Sequence, residues 1–212
     1  GADLVLIETM SDSYEAKAAV LAAKENCDLP VLVTLIFDEK GKLLTGGTVD
    51  STVAMLEGLR VDALGVNCGL GPKQMHPIIE RLTQVSSLPI IVNPNAGLPR
   101  SENGKTVFDI APAEFSELME EIAGMGVQAL GGCCGTTPEH LRLTIEKCRK
   151  VPFRPPVAKR RTVVSSFSQA VEIGPKPVII GERINPTGKS KFKAALRENN
   201  IEYILGEGMA QE

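Results

Sequence analysis

The sequence lacks any apolar run near the roughly 20 residues that a membrane-spanning helix needs. Its first stretch, GADLVLIETMSD, has no basic region and no small-residue cleavage site, so no secretory leader is expected. Neither sign of charge is in large surplus: 23 basic against 26 acidic residues leave a net charge of only −3. That balance gives no general electrostatic reason to expect nucleic acid or an anionic membrane as partner. Aromatic residues are scarce, at 4%. No aromatic platform accompanies the one basic run, Lys159-Arg160-Arg161, which reads as a solvated strap rather than a nucleic-acid site. An initiator methionine is also missing, as expected for an internal piece of a longer chain or a processed one. The five cysteines are odd in number and dispersed, unlike a secreted disulfide scaffold, so reduced thiols and a cytoplasmic location are expected.

What is present is ordinary globular material. Apolar residues make up 43% and charged residues 23% of 212, which argues against disorder. The length suits one domain, or one and a piece, with a real core. Through about residue 150 one pattern recurs: an apolar, β-branched run, a loop, then a helix. The runs are Leu4 to Ile7, Val31 to Phe37, Ala63 to Val66, Pro89 to Val92 and Val127 to Leu130. They are nearly continuous rather than alternating, as in parallel strands buried on both faces. Their ends (Glu8, Phe37, Cys68, Asn93, Cys133) lie about 29, 31, 25 and 40 positions apart, the size of a β/α unit. Helix signals fall between them: Asp12 with Glu15, Asp50 ahead of Val53 to Leu59, Pro72, Pro112 followed by Gly126, and Thr137-Pro138. Five β/α units are therefore expected. Their long loops, Asp38 to Asp50 and Asn93 to Pro112, sit on the carboxyl side of strands, where function concentrates.

Residues 151–177 change character. Five prolines and the basic run read as an extended interdomain linker. A sixth strand is expected over Val178 to Ile180, then a helix over Lys191 to Glu198, and a further strand start at Tyr203 to Leu205. Thr187-Gly188-Lys189-Ser190 resembles the end of a phosphate-binding loop, but that motif needs glycine at 183, where arginine stands, so nucleotide binding is not expected.

The chemistry-bearing feature is sulfur. Cys68 ends the third strand in Gly-Val-Asn-Cys-Gly-Leu-Gly-Pro, and Cys133 and Cys134 end the fifth in Gly-Gly-Cys-Cys-Gly-Thr-Thr-Pro-Glu-His. Spacing alone makes no local metal knuckle. The carboxyl ends of parallel strands, however, share one rim, so three thiols at two such ends can converge there. Three thiolates suit Zn²⁺ and leave a fourth tetrahedral position for substrate. Zinc with three thiolates carries net charge −1, which makes it a poor Lewis acid toward carbonyls. It can still take a thiol and remove its proton, so thiol alkylation is the matching chemistry. The competing reading is buried structural cysteine, kept for Cys27 and Cys148. Glu8 and Thr9 end the first strand on the same rim, where they could hold a substrate ammonium or merely form a capping or surface pair. Asn95, in Asn-Pro-Asn-Ala-Gly after the fourth strand, is an oxygen ligand or substrate donor in one reading and a turn residue in the other. His76 and His140 fall in helical segments and read as structural, although His140 lies close to the cysteine pair.

Asn67-Cys68 together with the Gly-Gly-Cys-Cys-Gly-Thr-Thr-Pro-Glu-His stretch resembles the homocysteine S-methyltransferase family, and within it the cobalamin-dependent branch that draws its methyl group from 5-methyltetrahydrofolate. The resemblance implies that residues 1–150 form the later part, about five β/α units, of a TIM-type (β/α)8 homocysteine-binding barrel. It implies that residues 178–212 open a pterin-binding barrel, whose signature Gly181-Glu182-Arg183-Ile184-Asn185-Pro186-Thr187-Gly188 matches. It further implies that Cys68, Cys133 and Cys134 bind zinc, that homocysteine sulfur takes the open position, and that Asn95 fills that position without substrate. Glu8, with Thr9 beside it, would hold the homocysteine amino group, while Glu182 and Asn185 would border the folate pocket. The implied reaction makes methionine: homocysteine thiolate attacks the methyl group of methylcobalamin, which methyltetrahydrofolate then restores. Cobalamin would ride on another domain of the same polypeptide, and the 212-residue chain is expected to be inactive alone. Two alternatives stay open, a cobalamin-independent enzyme using betaine or S-methylmethionine and a non-catalytic, zinc-braced β/α module.

Overall fold

The computed structural model describes residues 1–174, 176–181 and 184–211, and it divides into two compact units, Gly1–Glu172 and Ile173–Glu212. The first unit runs β1 (Val5–Met10), α1 (Ser13–Asn26), β2 (Val31–Leu35), α2 (Val49–Gly58), β3 (Ala63–Asn67), α3 (Pro72–Val85), β4 (Ile90–Asn93), β5 (Arg100–Glu102), β6 (Lys105–Val107), α4 (Pro112–Gly124), β7 (Ala129–Leu130) and α5 (Pro138–Cys148). β8 (Thr162–Ser165) and β9 (Ala170–Ile173) follow.

Among the described residues the main sheet has five parallel strands in the order β1-β2-β3-β4-β7. That order never reverses, unlike a doubly wound sheet, and matches an arc of a β/α barrel. Right-handed crossovers advancing in one direction put all the helices on one face. On that face Val33, Leu35, Leu64, Val66 and Val92 join Val20, Leu56, Ile79 and Phe115 in a single buried cluster. Each such side chain contributes about 1.5–3 kcal/mol by leaving water. The other face carries Leu6 level with Leu32 and Ala63, then Thr34 level with Gly65, Ile91 and Ala129. Only glycine fits at 65, because a Cβ there would lie 1.8 Å from the Ile91 carbonyl oxygen.

All five expected strands form, and most helix starts fall where expected. Asp12 caps α1 by accepting the Glu15 N–H at 2.8 Å. Pro72, Pro112 and Pro138 open α3, α4 and α5. The cap of α2 is Thr48 rather than Asp50. Extended backbone at Thr48 lets its hydroxyl accept the Ser51 N–H while the Ser51 hydroxyl accepts the Thr48 N–H. Asp50 therefore lies inside the first turn and pairs with Arg81. The long stretch after β4 holds a hairpin, β5 and β6 antiparallel, turned by Asn103-Gly104 with both residues at positive φ.

Up to Glu172 the proline-rich stretch continues the first unit along its helical exterior. The Gln128 amide donates to the Arg154 carbonyl at 2.8 Å and to that of Gly126, while its Oε1 accepts the Ile90 N–H at 2.7 Å. Farther on, the Lys159 N–H donates to the Ser87 hydroxyl, and Arg161 pairs with Glu172. β8 and β9 pair across a four-residue turn closed by the Ser166 N–H on the Gln169 carbonyl.

In the second unit α6 (Ser190–Arg197) forms where a helix was expected. Val178 to Ile180 is not a strand. It has no assigned secondary structure and is exposed, Ile179 by 96%, because a strand exists only through pairing and none is available among the described residues. Tyr203 to Leu205 is also not a strand but part of α7 (Ile201–Met209). Asn200 caps it by accepting the Tyr203 N–H, and Ile201, Ile204, Leu205 and Met209 recur at helical rather than strand spacing. Among the described residues no helix is long and apolar enough to cross a membrane.

Candidate metal centre

Three loops at the carboxyl ends of β3, β4 and β7 are stitched together by backbone hydrogen bonds. The Cys68 N–H donates to the Asn93 carbonyl at 3.0 Å, the Cys133 N–H to that of Pro94 at 2.8 Å, and the Ala96 N–H to that of Cys134 at 2.9 Å. Cys68 takes left-handed backbone, φ 57, directly before Gly69 at φ 71. The chain thereby reverses at the strand end and turns the Cys68 side chain toward the β7 loop. Gly135, at φ 80, is pressed by the Phe108 ring, which a Cβ would meet at 2.4 Å. The Thr136 hydroxyl closes the same loop on the Cys133 carbonyl at 2.7 Å.

These loops bring Cys68, Cys133 and Cys134 together, with all three sulfurs within 4.8 Å of one another. Cys68 Sγ lies 3.8 Å and Cys133 Sγ 3.9 Å from Cys134 Sγ. A tetrahedral zinc with bonds of about 2.3 Å needs an S···S edge of about 3.8 Å, so the cluster fits the ion. All five cysteines are free thiols. Cys68 and Cys133 are half-buried and Cys134 is exposed, so one side of the cluster faces solvent. Without a cation the Cys133 thiol is pushed up to about 11, chiefly by burial, then by its hydrogen bond to Cys68 and the charge of that neighbour. A divalent cation reverses this by holding the thiols as thiolates.

The other expected residues divide. Asn95 is buried beside the cluster, and its Oδ1 accepts the Cys134 N–H at 3.1 Å, so it braces the cysteine loop. Glu8 and Thr9 stand exposed at the β1 end, with Thr9 at φ 65. Asn185 lies in the second unit, where its Oδ1 accepts the Thr187 N–H. Glu182 lies outside the described residues. His76 is exposed. His140 is buried and bracing: Nδ1 accepts the Thr137 N–H, which leaves Nε2–H to donate to the Ile110 carbonyl at 3.0 Å. Asn67, part of the sequence motif but given no role there, is fully buried and tied to Thr9. Its signal was a polar side chain closing an otherwise apolar strand, one position before a candidate ligand.

The homocysteine S-methyltransferase family model matches residues 1–148. "Methionine synthase" of Mycobacterium leprae (strain TN) is 34% identical across 97% of the chain, and that of Mycobacterium tuberculosis (strain ATCC 25618 / H37Rv) is 32% identical across the same share. The chain spans 18% of the length of each of these relatives. Among solved structures, the apo form of the homocysteine methyltransferase MmuM from Escherichia coli aligns with TM-score 0.57 and 23% identity, covering 69% of this chain and 50% of that one. Its metallated form aligns with TM-score 0.56 and 25% identity, covering 71% and 46%.

Proposed function

The chain belongs to the homocysteine S-methyltransferase family, and on that premise we propose that it supplies the zinc-holding, homocysteine-methylating site of a methionine-forming enzyme. The observation that carries this is the sulfur triangle, whose 3.8 and 3.9 Å separations suit one tetrahedral zinc with a position to spare. Bound there, zinc supplies a centre that accepts a thiol and lowers its proton affinity at neutral pH. The chain's own residues do the rest. Cys68, Cys133 and Cys134 would hold the ion and, as three thiolates, would keep it electron-rich, which suits a thiol nucleophile rather than a carbonyl electrophile. Asn95 fixes the Cys134 backbone through its Oδ1 and would offer that oxygen to the ion in the absence of substrate. Glu8, with Thr9, receives the homocysteine ammonium. The sulfur gains a methyl group, forming a C–S bond as the donor's bond to that carbon breaks, and the thiol proton goes to solvent.

We further assign the methyl group to 5-methyltetrahydrofolate by way of methylcobalamin, both bound by other parts of the polypeptide. Residues 1–150 then belong to the homocysteine barrel, 151–177 form the interdomain linker, and 178–212 open a pterin-binding barrel with Glu182 and Asn185 near its pocket. Support comes from the methionine synthase relatives, which match along 97% of the chain and so past residue 148. The test is donor replacement in the intact protein. Homocysteine methylation should need methylcobalamin or methyltetrahydrofolate, stop on chelation and return with zinc. Turnover with betaine or S-methylmethionine alone would overturn the donor assignment, and unchanged turnover after complete zinc removal would overturn the metal assignment.

A further inference from the structure

β1 does not end as an ordinary strand. Its register with β2 pairs Ile7 with Val33 and then Met10 with Leu35, so Glu8 and Thr9 together face the single residue Thr34. This is a bulge, a device that re-aims side chains and concentrates beside active sites. Thr9 adopts left-handed backbone, φ 65, which threonine rarely takes unaided. The structure holding it there comes from β3, which is not a neighbour of β1, since β2 lies between them. The Asn67 Oδ1 accepts the Thr9 N–H at 3.1 Å, and its Nδ2 donates to the Thr9 hydroxyl at 2.7 Å. Asn67 is fully buried, and the next residue is Cys68, itself at φ 57. One amide thus ties the β1 bulge to the backbone that presents a candidate zinc ligand.

We propose that Asn67 is a positioning residue for the amino-acid end of the thiol substrate, latching Glu8 and Thr9 at a fixed offset from the Cys68 sulfur. The inference rests on the reading of the sulfur triangle as a thiol-capturing zinc site. Both ends of the Asn67 amide are engaged by Thr9, so it acts through the bulge and not by touching substrate. A thiol that lacks the amino-acid group bypasses the latch, whereas homocysteine depends on it.

The test uses the intact protein with cobalt(II) in place of zinc, so that thiol capture is read from thiolate-to-cobalt absorption without turnover. Homocysteine and 1-propanethiol are titrated into the native protein, Asn67→Ala, Thr9→Val and Thr9→Ser. Asn67→Ala and Thr9→Val should keep one cobalt per chain and bind propanethiol within about twofold of native, while homocysteine binding weakens by about tenfold or more. Thr9→Ser, which keeps the hydroxyl, should restore homocysteine binding. If Asn67→Ala does not fold, Asn67→Leu, which fills the same space without the amide that holds Thr9, decides by the same two titrations. The proposal is overturned if the two thiols weaken together, if neither changes, or if Thr9→Val loses its metal. If neither thiol produces a new band in the native protein, the thiol-capture reading falls, and this inference with it.

Discussion

At the carboxyl rim of the sheet three thiols crowd within 4.8 Å and two non-glycine residues, Thr9 and Cys68, hold left-handed backbone. On the helical exterior of the same unit opposite charges face each other: Arg81 grips Asp50, Arg161 grips Glu172, and the Gln128 amide is satisfied at both ends. The exterior lowers its own free energy without help. There the Arg81 guanidinium holds the Asp50 carboxyl below its usual range. The rim does the opposite, since burial and a neighbouring thiol push Cys133 up. Like groups gathered at strand ends mark a place built for something that arrives later, whereas paired charges mark bracing. Substitutions at the two regions should therefore fail in different ways.

The largest expected effect is at the rim. Cys68→Ser in the intact protein should lose stoichiometric zinc and reduce homocysteine methylation by about 100-fold or more while leaving folate binding intact. Metal analysis beside an activity assay checks it, and normal zinc with normal turnover would remove Cys68 from the site. The next effect is one of pH. The folded state favours protonated Cys133, so its contribution to the metal-free protein is fully present below the usual thiol value of 9.0 and lost as pH rises through about 11. Thermal unfolding of the metal-free protein from pH 8 to 11 should show a steeper loss than Cys133→Ser shows, and identical profiles would contradict this. For zinc affinity the sign reverses, because protons compete with the metal as pH falls.

On the exterior the losses should be in stability alone. Gln128→Ala strands the Ile90 N–H and the Arg154 carbonyl, costing about 1–3 kcal/mol in denaturant unfolding, with zinc content unchanged. A loss of zinc affinity in that variant would break the division between bracing and site. Smallest is Arg161→Ala, worth about 0–1 kcal/mol, since its pair with Glu172 is largely solvent-exposed. The difference should fade in high salt, and a larger, salt-independent loss would show that the strap carries more than surface charge.

The same contrast explains what was legible beforehand. Continuous β-branched runs such as Val31 to Leu35 announced buried parallel strands, and the cysteines after them announced a shared rim, because both signals are local and the topology does the gathering. Residues whose roles depend on a distant partner were harder. Asn67 belongs to the sequence motif, but what it holds is not readable until β1 bulges toward it. The apolar run Val178 to Ile180 carries a strand's composition, yet stays exposed and forms no strand among the described residues, whereas Val31 to Leu35 has a partner on each side. Tyr203 to Leu205 misled because three apolar residues fit either period, and the Asn200 cap settles the helix. Asp50 and Thr48 are both good caps by type, and the reciprocal bond with Ser51 decides between them.

Everything proposed for the rim depends on three sulfurs holding a zinc with one exchangeable position. Zinc K-edge X-ray absorption of the intact protein, with and without homocysteine, reads that position directly. Three sulfur neighbours at about 2.3 Å and a lighter fourth ligand are expected without substrate, becoming four sulfurs when homocysteine is added. A spectrum that homocysteine leaves unchanged, with four protein ligands already in place, would contradict it and make the cluster a brace.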